Sequence, residues 1–156
     1  MGKDIFRVIL DSENPTNETS TLGEYDFNIR LPFTRSDYKE YVLYVDNFNI
    51  SLKGLTTEAV SVRLTNLSNY NSYSSQTGGN NNSILQIYNP NITSGRTDDL
   101  VLSYQGANSP YYISSVPNTV SLKICNMDGN HINLSSANNF WTLNLRLECI
   151  YNNDMC

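Results

Sequence analysis

The closing segment "NNFWTLNLRLECI" (138–150) constrains this chain more than any other. Trp141, Leu143, Leu145, Leu147 and Cys149 alternate with Thr142, Asn144, Arg146 and Glu148. A period of two sends the first set to one face of a β-strand and the second to the other. A strand with one wholly apolar face needs a core to cover that face. Trp141, Leu143, Leu145 and Leu147 are therefore the expected core residues of a terminal strand that completes a sheet.

The same alternation recurs upstream. "DIFRVIL" (4–10) places Phe6, Val8 and Leu10 in phase, and "YDFNIRL" (25–31) places Tyr25, Phe27, Ile29 and Leu31 on one face before Pro32 ends it. In "YVLYVDNFNISL" (41–52) Phe48, Ile50 and Leu52 share a face, whereas Tyr41, Leu43 and Val45 hold the opposite phase. That change near Asp46 predicts a bulge or bend, or a strand buried on both faces at its start. "VSVRL" (60–64), "ILQIY" (84–88), "LVLSY" (100–104) and "NTVSLKIC" (118–125) follow, and with the closing strand they make eight. "NMDGN" (126–130) carries the Asp-Gly hairpin signal, with "HINL" as a short second arm. No window holds a helical stripe. The fold expected is all-β, a two-sheet antiparallel sandwich. A single jelly roll is favoured, because eight strands with uneven loops suit it better than seven short ones do. Strand order is open at this point.

With 156 residues the chain is most simply one domain, 1–156, with a long polar loop over 68–83 ("SNYNSYSSQTGGNNNS") and a short C-terminal tail over 151–156. Charged residues make up 16%, against roughly 25% in ordinary soluble domains, so Asn, Ser and Thr supply the polarity. A net charge of −5 with scattered basic residues argues against nucleic acid as a partner, because phosphates demand clustered Lys and Arg. No apolar run approaches the roughly 18 residues of a membrane span. The start "MGKDIFRVIL" is interrupted by Asp4 and Arg7, unlike a secretory signal, and Phe6 breaks the myristoylation pattern. The sequons at Asn17 and Asn91 then read as chance products of an Asn-rich chain. Three cysteines lack zinc-binding spacings. Cys149 shares the phase of Trp141, while Cys125 is out of phase with Val120, Leu122 and Ile124 and faces the other side of its strand. Reduced structural thiols are expected, with an intermolecular bridge through Cys156 as the alternative.

Chemistry is scarce. The one histidine, His131, has Asp128 as its nearest candidate partner and is better read as an exposed turn residue. Asn126, Asp128 and Asn130 resemble a fragment of a calcium loop but lack its acidic first position and distal Glu. Asp98 and Asp99 are adjacent and so point to opposite faces, which does not let them flank one bond. No enzymatic activity, cofactor or metal is expected. The tyrosines stand out instead: Tyr70, Tyr73, Tyr104, Tyr111 and Tyr112 lie in or beside loops. They serve as covers for core ends, as protein-contact residues, or as stacking platforms for sugars. Tyr70, Tyr73, Tyr111 and Tyr112 are the candidate interface residues.

The segment "VPNTVSLKICNMDGNHINLSSANNFWTLNLRLECI" (116–150), with "FRVILDSENP", "YDFNIRLPF" and "YVLYVDNFNI" before it, resembles the layout of small single jelly-roll minor capsid or penton proteins. These belong to large eukaryotic DNA viruses and virophage-like elements. The resemblance is one of strands and turns and covers most of the chain, which is too short for a double jelly roll. It implies a structural virion component, made in the host cytoplasm and residing in the capsid. Its partners would be copies of itself, as pentamer or trimer, and other capsid proteins. The rival reading is a carbohydrate-binding β-sandwich, lectin-like or a fibre-head module.

Overall fold

The computed structural model describes residues 1–52, 59–67, 83–88, 100–106, 110–135 and 139–153. Ten strands form among them: β1 (Gly2–Asp11), β2 (Asn17–Thr19), β3 (Glu24–Asn28), β4 (Tyr38–Leu52), β5 (Ala59–Leu64), β6 (Ser83–Tyr88), β7 (Leu100–Gln105), β8 (Tyr111–Ile113), β9 (Thr119–Cys125) and β10 (Phe140–Tyr151). One sheet has the order β1-β10-β4-β7, with β8 also on β4; the other runs β2-β3-β9-β5-β6. All pairings are antiparallel.

The connectivity is a hairpin wrapped upon itself. β7 and β8 both run along β4, on Asn47–Leu52 and Tyr41–Leu43 respectively, and act as one interrupted strand. With that pair counted once and the short β2 set aside, first pairs with last (β1·β10), second with seventh (β3·β9), third with sixth (β4·β7/β8) and fourth with fifth (β5·β6). This nesting, with β10·β4 completing the first sheet and β9·β5 the second, is a jelly roll.

The core lies between the sheets. Trp141, Leu143, Leu145 and Leu147 all face it, as do Phe6, Leu10, Tyr25, Phe27 and Cys149. Trp141 is only 1% exposed, ringed by Tyr25 (centroids 5.0 Å, edge-on), Phe27 (5.8 Å, edge-on) and Phe48 (6.4 Å, tilted). Contacts with these three rings hold it in place.

The phase change in β4 is a bulge. Asn144 of β10 opposes Asn47 and the next residue, Leu145, opposes Val45, which leaves Asp46 as the extra residue. The Gly106 amide donates to the freed Asp46 carbonyl at 2.8 Å, at the break between β7 and β8. Tyr41, Leu43 and Val45 then reach the same core as Phe48, Ile50 and Leu52, because the inserted residue resets the pleat.

Two expected elements differ. β3 ends at Asn28, although Ile29 and Leu31 keep its phase and pack on the core; the Ile29 amide still bonds the Asn118 carbonyl at 2.7 Å, one residue further in the register of the β3·β9 ladder. The "HINL" arm reduces to a single bridge, Cys125 with His131. Beyond it the Leu134 amide bonds the Ser20 carbonyl in the short 3-10 turn at Ser20–Leu22, which draws the chain across the sandwich.

Candidate assembly surface

Partner residues in an antiparallel pair share a face, so the registers fix what each sheet shows to the outside. The outer face of the β2-β3-β9-β5-β6 sheet is mainly polar, with Glu24, Asp26, Ser121, Lys123, Ser61, Arg63 and Gln86 in its central rows. The outer face of the other sheet is mixed. Its middle carries Thr142, Asn144, Asn47, Asn49 and Ser103, with Asn144 Nδ2 donating to Asn47 Oδ1 at 2.6 Å. Around that centre stand Ile5, Ile9, Val101, Tyr112 and Phe140, five of the nine exposed large apolar side chains among the described residues. Such concentration on one face is a feature of contact surfaces.

A charge network anchors the same face. Glu148 is only 6% exposed, because it lies between Ile5 and Val42 of the flanking strands. Lys3 Nζ donates to its Oε1 at 2.8 Å and Arg146 stands 3.7 Å away. Arg146 also lies 3.5 Å from Asp46 and stacks over the Tyr44 ring, 4.4 Å from its centroid. Two cations thus compensate one buried carboxylate, which a strand's solvent face seldom contains.

At the end of this sheet where β1 and β4 begin and β10 ends, aromatic residues cluster. Tyr38 packs on Tyr41 (5.9 Å) and Tyr151 (6.4 Å), its hydroxyl donates to Asp4 Oδ2 at 2.7 Å, and Phe33 closes on Phe6 at 5.1 Å. Burial and the Asp4 carboxylate raise the Tyr38 hydroxyl far above the usual phenol range. Arg35 lies 3.8 Å over the Tyr151 ring and is paired with Asp37 at 2.9 Å. This cluster was not legible as such in the sequence, since Arg35, Tyr38 and Tyr151 meet only through pairing.

The tyrosines singled out from the sequence divide. Tyr111 faces inward opposite Leu43, half-buried, and its hydroxyl donates to the Ile84 carbonyl at 2.6 Å, tying β8 to β6 across the sandwich. Tyr112 points outward opposite Val42 and is exposed. Tyr104 faces inward opposite Phe48. Tyr70 and Tyr73, with nearly all of the 68–83 loop, lie outside the described residues, as do Asp98, Asp99 and Cys156.

His131 and Asp128 are exposed, and Asn126, Asp128 and Asn130 belong to a turn. The Gly129 amide bonds the Asn126 carbonyl at 3.1 Å, the Asn130 amide bonds Asn126 Oδ1 at 2.9 Å, and Gly129 takes φ 85°. Among the described residues no three His, Cys, Asp or Glu side chains group as metal ligands would. Cys125 and Cys149 are free and buried on opposite sides of the second and first sheets' strands, Cys125 against the Ser61 carbonyl at 3.7 Å and Cys149 in the core. Desolvation raises both thiols, Cys149 to about 11, so neither is a thiolate at neutral pH. No described helix is long and apolar enough to cross a membrane.

The open side of the sandwich carries a groove of about 410 Å³ between β1 and residues 28–32. Val8, Leu10, Ile29, Leu31 and Pro32 give it apolar walls, and Arg7 and Arg30 are its charged residues. Sequence reasoning passed over Ile5 and Ile9. The signal was there: both are apolar at the positions out of phase with Phe6, Val8 and Leu10.

No protein-family model matches the chain, and no curated protein matches it. Among solved structures it is similar to a virus-like particle of the extra small virus of the giant freshwater prawn Macrobrachium rosenbergii. That likeness has 7% identity over 97% of this chain and 82% of the other, with a TM-score of 0.27. It is also similar to a nora virus structure, at 12% identity over 99% of this chain and 64% of the other, with the same TM-score of 0.27. The nested strand order, rather than these distant likenesses, defines the fold.

Proposed function

We propose that this chain is a structural component of a virus particle, a minor capsid or penton protein that assembles with copies of itself and with other capsid proteins. The observation that carries this reading is the outer face of the β1-β10-β4-β7 sheet. There Ile5, Ile9, Val101, Tyr112 and Phe140 are exposed around a polar centre, while the opposite sheet is mainly polar. The strand-and-turn resemblance to small jelly-roll capsid components supports it independently. The mechanism is mechanical: a rigid sandwich offers the same patches to identical neighbours, and moderate contacts repeated by symmetry hold the shell. It needs no catalytic step, cofactor or metal.

Copy number and location in a purified particle test the reading. A fixed, symmetry-compatible number of copies at a shell position is the expected result, and absence from the particle would overturn it. A glycan array run on the purified chain addresses the carbohydrate-binding alternative: saturable, specific binding would favour that class instead.

A further inference from the structure

β1 is a ten-residue edge strand, and among the described residues only β10 pairs with it. Just beyond its end the Ser12 amide donates to the Trp141 carbonyl at 3.0 Å, in register with the ladder that runs from Gly2 opposite Tyr151 to Asp11 opposite Thr142. In an antiparallel ladder, residues that exchange hydrogen bonds alternate with residues that exchange none. The even-numbered residues of β1 therefore bond toward β10. The amides and carbonyls of Lys3, Ile5, Arg7, Ile9 and Asp11 point to the open side, and no backbone bond from a described loop takes them up. An edge of this length with free backbone groups is a template for another strand.

What covers it follows from the side chains on those five residues. Ile5 and Ile9 are 51% and 69% exposed. Arg7 stands opposite Arg146 on its own sheet, a like-charge pair that disfavours a further cation beside it. We infer that the occupant is the β1 strand of a second copy, paired antiparallel about a two-fold axis at Ile9. The alternatives match less well: centring on Leu10 gives Arg7 an acid, Glu13, but sets Ile9 against Asp11 at both ends. Centring on Arg7 sets two arginines face to face, centring on Ile5 sets Arg7 against Lys3, and centring on Val8 or Phe6 sets Arg7 against an isoleucine. Centring on Ile9 sets Arg7 opposite Asp11 of the second copy at both ends, with Ile9 against Ile9 between them.

Asp11 is prepared for this role. Its Oδ1 accepts the Glu13 amide at 2.8 Å and Asn14 Nδ2 at 2.9 Å, which fixes the carboxylate at the end of the strand. Arg7 in this arrangement is a selector as well as a guard, admitting only a strand that offers an acid at that position. Pairing would join two sheets into one continuous sheet across the dimer. This contact deepens the assembly reading above by naming one of its interfaces.

The test is a charge exchange read by sedimentation equilibrium over a concentration series. Arg7→Glu alone places an acid opposite Asp11 at both ends, and Asp11→Lys alone places a cation opposite Arg7 at both ends, so each should weaken self-association by about tenfold. An equimolar mixture of the two variants restores opposite charges at both ends and should recover wild-type association as a heterodimer. Because Asp11 also holds a turn, Asp11→Asn, which keeps an acceptor there, serves as the second variant and should give an intermediate loss. Thermal melting of each variant checks the fold. Association unchanged by either reversal would overturn this pairing and leave the assembly reading intact. Loss in both variants without recovery in the mixture would overturn the register. A wild-type chain that is monomeric throughout would overturn the pairing, and the particle copy number would then decide the assembly reading by itself.

Discussion

β1 and β10 lie side by side in one sheet and read almost alike in sequence, yet they do different work. β10 has neighbours on both sides, β1 and β4, and its outward residues between Phe140 and Ile150, namely Thr142, Asn144, Arg146 and Glu148, are polar. Among the described residues β1 has one neighbour, and two of its five outward residues, Ile5 and Ile9, are apolar and exposed. The contrast separates two uses of alternation. In β10 the inward face fixes the core, and the outward polar face keeps water and supports the ion network. In β1 the inward face does the same with Phe6, Val8 and Leu10, and Lys3 on the outward face serves Glu148, but nothing among the described residues covers Ile5 and Ile9.

Breaking the β10 side of the comparison should have the largest effect. Trp141→Ala removes the centre of an aromatic ring cluster and should cost about 3–5 kcal/mol in urea unfolding. A loss under about 1 would mean that the tryptophan does not organise the core. The bulge is next. A Cβ on Gly106 would collide with the Val45 carbonyl, and the Gly106 amide serves the Asp46 carbonyl, so Gly106→Ala should cost about 2–3 kcal/mol. Unfolding curves within about 0.5 kcal/mol of wild type would show that β7 can move aside.

The buried end of β10 sharpens the comparison by pH. Burial, with a smaller contribution from Asp4, raises the Cys149 thiol from about 9 to about 11. The folded state then holds its proton more tightly than the unfolded state does. Stability from this group is present in full below pH 9 and is lost as pH rises through about 11. Cys149→Ala should be less stable than wild type at neutral pH but should lose less between pH 9 and 11 in parallel urea titrations. Equal losses would assign the alkaline transition to other groups, with the hydroxyls of buried Tyr25 and half-buried Tyr111, also raised by desolvation, as the first to examine. On the β1 side the smallest effect is expected: Ile9→Thr should change monomer stability by less than about 0.5 kcal/mol. A larger loss would make Ile9 part of the fold and remove the contrast with β10.

The alternation by itself determined a good deal. It gave the strand class, the inward set Trp141, Leu143, Leu145 and Leu147, the phase reset near Asp46 and the opposite placement of Cys125 and Cys149. These depend on period two and on local crowding, which a short window contains. Tertiary structure decided the rest, because period two says which way a side chain points and nothing about the strand beside it. The nesting that pairs β1 with β10 joins residues up to 149 positions apart. That pairing brings Lys3 to Glu148; with the β10·β4 pairing it buries a carboxylate on a solvent face, and the β10·β4 pairing lets Tyr38 and Tyr151 meet under Arg35. The β4·β8 register sends Tyr111 inward to the Ile84 carbonyl while leaving Tyr112 outside, a choice two adjacent tyrosines cannot reveal in sequence. Above all the nesting made β1 an edge: the same alternating pattern is a core strand when flanked on both sides and an open ladder when flanked on one, because backbone hydrogen bonds are satisfied by neighbours that the local sequence does not name.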